Sequence, residues 1–481
     1  KLLLILKYLR RKLAPLFAAV AVMLCTAMVI IVMSVMGGFL EQFRESARNL
    51  TGDVIVEGSL QGFTQYEELL AAILELPEIE NGTPLIETYG LINFRDNAKP
   101  VRVQGVDMAQ LEAIVGYKHT LMWTPDELLE LPKEILGEDS RRYKEIKEIL
   151  TREHPIDPGR ANGLPEALIG IEVNPYHFRD EQGNYDIRST WARAPMALTV
   201  VPLTSGGTTS LEQERREFVV ANEFKSGLFD IDGQYVFVPF DTLQKMLAMD
   251  QRKGFDTEGF DPETGLGGKE IVISGRANRL VLKVAPGVEV LDARNVVQKT
   301  IADFYDAQED IVLARPRALT WEDVHGQILG AVQNEKGLIT FLFGVIGIVA
   351  IVMVATTFYM IVLEKTRDIG VLRAIGASRL GIVQMFLGYG LAIGIVGSLL
   401  GLLIAVSVVT NLNEIQEIIA QTTGWRMWNP QTYFFDRIPD RVNYAEAWWA
   451  VAGAIVSSVI GATLPALLAG RLKPVEALRY E

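Results

Sequence analysis

Apolar positions along this chain fall into two regimes. Four blocks, Pro15–Phe39, Leu338–Leu363, Leu380–Asn413 and Ala447–Gly470, contain no Asp, Glu, Lys or Arg. A helix crosses the hydrocarbon core of a bilayer with about 20 apolar residues, so each block is long enough to span. The third exceeds one span, which puts one of its ends at the interface or into a further element. The first is too long for a secretory leader and has no small-residue cleavage site, so it reads as a retained span. Between the first and second blocks the apolar positions alternate, or recur at helical spacing, among charged residues, as in a folded domain in water. The expected fold is a membrane protein of four transmembrane α-helices, with a large α/β plus β insert outside the membrane between helices 1 and 2.

The same pattern sets the expected boundaries. Residues 1–14, which open KLLLILKYLRRK, form an interfacial helix, or equally the near end of the first span. The first span covers 15–39. Phe39, Phe43, Ala47 and Leu50 then keep a helical period, so 40–52 is a stalk. At Asp53 the period changes to that of a strand. A strand at 53–57, a helix at 65–76 and strands at 89–94 and 101–106 make a small α/β unit (53–107), to which 275–320 returns with a strand at 280–284 and a helix at 292–304. Residues 108–274 are inserted into it. They hold a charged helical segment, Thr124–Glu153, then mostly strands, at 167–173, 196–201, 218–221 and 235–239. Residues 321–337 form a second stalk helix, pairing near Val324 with the first near Phe43. Then come a span at 338–363, a short cytoplasmic helix at 364–379, spans at 380–410 and 447–469 joined by an outer loop at 411–446, and a tail at 470–481.

Charge orients the spans. Twelve basic residues share segments 1–12, 364–379 and 471–481 with only four acidic ones, Glu364, Asp368, Glu476 and Glu481. Positive residues collect on the cytoplasmic side, so both termini and 364–379 are expected inside. The whole chain carries a net charge of −13, so the remainder, mainly the insert, is strongly acidic and expected outside. Such a surface repels nucleic acid.

Little in the sequence looks catalytic. The one cysteine, Cys25, lies in the first span and cannot form an intramolecular disulfide. The four histidines are scattered, none with a Cys or His partner at metal spacing, so no metal site is expected. Asp230-Ile231-Asp232-Gly233 is read as a tight turn, because the later ligand positions of a calcium loop are missing. No G-x-x-x-x-G-K-[ST] pattern occurs, so ATP is not bound in that way, and no nucleophile–base or paired-carboxylate arrangement stands out. The chain is not expected to be an enzyme, and energy must come from a partner.

Glu364–Ser378, reading EKTRDIGVLRAIGAS, can receive that energy. In a helix Ile369, Leu372 and Ile375 make an apolar ridge flanked by Arg367, Asp368 and Arg373, suited to a groove on another subunit. The expected docking residues are Glu364, Lys365, Arg367, Asp368, Ile369, Leu372, Arg373, Ile375 and Gly376. Gly376-Ala377-Ser378 ends the helix. Gly390-x-x-x-Gly394 and Gly397-x-x-x-Gly401 in the third span allow close helix approach, within this chain or in a dimer. Phe39, Leu40 and Phe43 are candidates either for contact with acyl chains or for stalk packing.

Several of these pieces together resemble a family. They are Asn334-Glu335-Lys336, Glu364–Ser378, Ala477–Glu481, Ser34–Phe39, Val103–Asp107, Ser226-Gly227 with Asp230, Trp321, and Tyr433 with Ile438-Pro439. In this order, over nearly the whole chain, they resemble the LolC/LolE lipoprotein-releasing permeases of the MacB/FtsX type. The resemblance implies a Porter/Sabre-like outer domain and an inner-membrane complex of two permease chains, the same or homologous, with two copies of an ABC ATPase. ATP and magnesium are bound by that partner, and this chain holds no cofactor. It also implies extraction of a lipoprotein or similar amphiphile from the outer leaflet by mechanotransmission, with a periplasmic chaperone as a further partner. The loop that in this family engages the chaperone corresponds to Leu203–Arg216, a polar LTSGGTTSLEQERR here. An FtsX-like signal transmitter and a MacB-like efflux component are the alternatives. FtsX has a shorter insert, and MacB-like chains carry a fused ATPase.

Overall fold

A computed structural model describes residues 13–94, 97–123, 163–175, 195–202, 213–255, 270–307, 315–425 and 437–472, with single positions near 133–147 and at 177 and 428. Most of the segments expected at 1–14, 124–153, 203–216, 253–269 and 470–481 lie outside the described residues. The chain divides into two compact units: 1–42 with 328–428 and 437–481, and 43–327 with 429–436.

The first unit is helical. Among the described residues four helices are long and apolar enough to cross a membrane: α1 (Leu13–Thr51), α8 (Gly326–Glu364), α10 (Arg379–Thr410) and α12 (Tyr444–Arg471). The four apolar blocks are therefore borne out as helices. At 1.5 Å per residue, 39-residue α1 and α8 exceed a hydrocarbon core of about 30 Å, so each continues beyond its span. Residues 411–446, expected to be loop, contain a 12-residue amphipathic helix, α11 (Leu412–Thr423). Its first turn is pinned by Asn413, which donates to the Ile438 carbonyl at 3.0 Å and accepts from the Ile438 N–H at 3.0 Å.

The second unit is α/β and β. Its strands are β1 (Val54–Glu57), β2 (Phe63–Thr64), β3 (Ile79–Phe94), β4 (Asn97–Val106), β5 (Glu166–Gly170), β6 (Pro195–Val200), β7 (Glu214–Phe224), β8 (Tyr235–Pro239), β9 (Arg252–Phe255), β10 (Glu270–Ile273), β11 (Arg276–Ala277), β12 (Arg279–Val284) and β13 (Arg317–Thr320). Its helices include α2 (Tyr66–Leu74), α3 (Met108–Val115), α4 (Phe229–Gln234), α5 (Phe240–Met246), α6 (Val290–Asp306) and α7 (Trp321–Val324). Nine strands run in the order β13-β1-β12-β3-β4-β8-β5-β7-β6, and β6 pairs back onto β3. The last six strands thus close into a barrel, which leaves them no free edge.

β3 joins the two halves. Ile79–Leu85 pairs antiparallel with β12, whereas Ile86–Phe94 pairs with β4. The division expected after residue 107 falls instead inside β3, because β3 and β4 are both barrel strands. On the open half, Val54, Val56, Leu280 and Leu282 are fully buried, together with Leu69 and Ile73 of α2 and the α6 stripe Ala293, Val297, Ile301 and Tyr305. That stripe recurs every four residues, which keeps it on one face. Each large member contributes about 1.5–3 kcal/mol by burial. Arg279 bridges Glu57 and Glu87, and Glu87 also accepts from Gln104 at 2.7 Å.

The Asp230–Gly233 turn is part of α4. Asp232 accepts from the Ser226 N–H at 2.6 Å and the Gly227 N–H at 3.2 Å. That is a local role, closing the Ser226-Gly227 turn.

α7 starts at a capping box between Thr320 and Asp323, then breaks at His325 before α8 begins. The expected stalk contact has a specific form: the Phe43 and His325 rings meet edge to face at 5.8 Å. Burial, helped by the charges of Arg102 and Arg279, pushes the His325 pKa below its ordinary 6.5. The folded state therefore binds fewer protons than the unfolded chain as pH falls through 6.5, and it loses stability there. Acidification from about pH 7.5 to 5.5 should lower the melting temperature of the purified protein more than that of His325→Phe, which has no proton to exclude. Equal losses would contradict this account of the contact.

Candidate functional site: the short helix between the second and third long helices

α8 ends at Glu364, and Lys365 turns the chain into α9 (Thr366–Ala374). The turn keeps its hydrogen bonds: the Lys365 N–H reaches the Ile361 carbonyl at 3.0 Å, and the Thr366 hydroxyl reaches the Leu363 carbonyl at 2.9 Å. Lys365 Nζ lies 2.5 Å from Asp368 Oδ2, and because Asp368 is exposed this pair contributes at most about 1 kcal/mol. α9 closes with a Schellman motif. Gly376 N–H bonds the Arg373 carbonyl at 3.1 Å, and Ala377 N–H bonds the Leu372 carbonyl at 3.0 Å. The motif needs a left-handed residue, and Gly376 supplies it with φ of +106°. Ser378 then caps α10, accepting from the Gly381 N–H at 3.0 Å.

The ridge expected on α9 is only partly on the surface. Ile369 is 1% exposed and belongs to the buried cluster that includes Phe358, Ile361, Val362, Ala466 and Ala469. It anchors α9 to the bundle, which corrects its expected place among the surface residues. Leu372 is 43% exposed and Ile375 80%. Val371, which the three-residue spacing passed over, is 43% exposed. The open apolar face is therefore Val371, Leu372 and Ile375, spaced i, i+1, i+4, with Arg367 and Asp368 exposed beside it. Glu364 and Gly376 are exposed at its two ends and Lys365 is half-buried. Arg373 is directed inward: Nη1 donates to the Gly470 carbonyl at 2.8 Å, near the C-terminus of α12.

The α10 glycines are used within the chain. A Cβ on Gly390 would lie 2.5 Å from Ala462 Cβ, and one on Gly394 2.9 Å from Ser458 Cβ, both on α12. A Cβ on Gly397 would meet the Ala19 carbonyl at 2.9 Å, and one on Gly401 the Met23 carbonyl at 2.6 Å, both on α1. One pair seats α12 and the other seats α1. Of the candidate acyl contacts, Leu40 is 8% exposed and Phe43 4%. Both are spent on packing in this conformation, whereas Phe39 remains half-buried.

Two polar features had no sequence signal. Lys336 Nζ pairs with Glu446 Oε1 at 3.0 Å across 110 residues. In the barrel, Glu223 receives Trp123 Nε1 at 2.6 Å and Asn174 Nδ2 at 2.8 Å, with His177 Nε2 at 2.6 Å. Partners so distant in sequence carry no local spacing to read.

The FtsX-like permease C-terminal family matches residues 340–474, which include α9 and the α10–α12 pair. A lipoprotein-releasing system transmembrane protein LolC from Neisseria meningitidis is 22% identical over 94% of this chain and 90% of its own length. A LolC from Xylella fastidiosa is 29% identical over 34% of this chain and 39% of its own length. Among solved structures, the periplasmic region of MacB from Actinobacillus actinomycetemcomitans aligns with 58% of this chain and 94% of that one, at TM-score 0.29 and 8% identity. Residues 340–474 thus carry the FtsX-like match, and the chain as a whole is similar to LolC-type transmembrane proteins.

Proposed function

We propose that this permease works in the inner membrane with two copies of an ABC ATPase and a second permease chain. It extracts lipoproteins, or a closely similar amphiphile, from the outer leaflet. The open face of Val371, Leu372 and Ile375 carries the reading, since a short helix with an apolar face and charged flanks fits a groove on another subunit. Similarity to LolC over 94% of the chain supports the choice of cargo. Nucleotide closure in the ATPase pushes on α9, which packs into the bundle through Ile369. α1 and α8 both continue beyond their spans and carry the movement to the outer domain. The basic segments, including 364–379, lie in the cytoplasm with both termini, and the acidic domain lies in the periplasm. A periplasmic chaperone receives the cargo.

A synthetic triacylated lipopeptide should stimulate ATP hydrolysis by the reconstituted complex severalfold, while a diacyl phospholipid should not. Equal response to both, or to neither, would refute lipoprotein as the cargo.

A further inference from the structure

α9 is attached to the bundle in two chemically different ways. Covalently it continues α8 through Lys365. Non-covalently it is tied to α12 through Arg373 on the Gly470 carbonyl at 2.8 Å, and Ile369 joins the buried cluster that also holds Ala466 and Ala469 of α12. The polar tie is well placed. The last carbonyls of a helix have no partner inside it and attract cations.

α12 is in turn locked to α10. Gly390 and Gly394 admit α12 side chains, and a Cβ on Gly470 would lie 3.2 Å from the Arg379 carbonyl. Contacts this close leave no room for sliding, so α9, α10 and α12 form one block. α8 joins this packing through its C-terminal half, where Val354, Phe358, Ile361 and Val362 lie in one buried cluster with Ala462, Ala466 and Ala469, and is held less before it. Phe341, Ile348, Val349, Val352 and Met353 are all exposed. Its firm contact with α12 in mid-span is at Gly461, where a Cβ would lie 2.8 Å from the Ile351 carbonyl.

At the far end of α12 a second polar tie appears. Glu446, in its first turn, pairs with Lys336 on α8 at 3.0 Å. Both side chains are less than a third exposed, 27% and 29%. Lys336 lies where α8 enters its uncharged stretch. The two ends of α12 therefore grip different elements: α9 at the C-terminal end, and the domain-proximal end of α8 at the N-terminal end.

We propose that α12, the fourth span, is the strut that carries movement of α9 to the domain-proximal end of α8, gripped at its C-terminal end by Arg373 and at its N-terminal end by the Lys336–Glu446 pair. This rests on the reading that a partner ATPase moves α9. Lys336 and Glu446 are positioning residues, and neither needs to touch nucleotide or cargo.

The test uses the full complex in proteoliposomes with a triacylated lipoprotein. Lys336→Met and Glu446→Gln should hydrolyse ATP within about twofold of the parent, while lipoprotein released per ATP falls about tenfold, and the swapped pair Lys336→Glu/Glu446→Lys should restore most of it. Unchanged release per ATP in both single variants overturns the proposal. A parallel fall in hydrolysis and release also overturns it, because that marks a docking or folding role. A second readout needs no cargo. Gln333→Cys in a Cys25→Ser background places one exposed thiol on α8 next to the pair. ATP with vanadate should change its rate of labelling by a charged maleimide about threefold in the parent and leave it unchanged in Lys336→Met. No change in the parent, or the same change in both, overturns the strut. A parent that hydrolyses ATP without releasing lipoprotein defeats only the assignment of cargo, and the labelling result then decides the strut.

Discussion

Leu372→Asp should abolish co-purification of the ATPase subunit while leaving the permease folded. Leu372 is 43% exposed beside Ile375 at 80%, so the substitution alters a surface rather than a core. In a complex it would put a carboxylate where an apolar groove expects a methyl group. Loss of a central apolar anchor costs about 2 kcal/mol or more, and a charge buried without a partner adds several. Ile375→Asp should behave alike. Ile369→Asp should not: at 1% exposure, Ile369 is core to the bundle, and its loss should cost the folded protein itself. Pull-down on tagged permease, with size-exclusion of the same sample, separates the cases. A monodisperse Leu372→Asp protein that still retains the ATPase would refute docking through this face.

The second large effect belongs to the α10 glycines. Gly401→Val should lower the thermal stability of the detergent-solubilised permease by several degrees. Its Cβ would sit 2.6 Å from the Met23 carbonyl and 3.2 Å from the Ala27 nitrogen, backbone atoms that cannot step aside alone. Overpacking of this kind costs about 1–3 kcal/mol. Gly344→Val on α8 is the control, since among the described residues nothing beyond its own helix backbone and chain neighbours lies within 4 Å of its Cβ position. Matching melting curves for Gly401→Val and the parent would mean that α1 and α10 do not approach as described.

How far the sequence reached follows from the range of each signal. The four long helices were legible because a charge-free run of this length has few other uses. The end of α9 was legible because Gly-Ala-Ser names a local turn. The inward turn of Ile369 was not. Spacing shows which residues share a face, but which face is open depends on the buried cluster around it, with members such as Ala466 and Ala469 almost 100 residues away. Val371 was missed for the same reason. The barrel closure was hidden because the pattern marked only 89–94 of β3 as strand, and only its partners reveal that β3 changes sheets at Leu85 and Ile86. Lys336 and Glu446 stand 110 residues apart and share no local pattern. Their pairing is a property of the packed bundle.

In the proposed function a separate ATPase drives this chain, whose given sequence has no Walker A pattern, to lift lipoprotein out of a bilayer. Proteoliposomes holding both permease chains, the ATPase and a triacylated lipoprotein test it most directly, by the lipoprotein recovered in the soluble fraction with a periplasmic chaperone present. Release that requires ATP, and that is lost with Leu372→Asp, is the predicted result. Steady ATP hydrolysis without release, or release that survives Leu372→Asp, would contradict it.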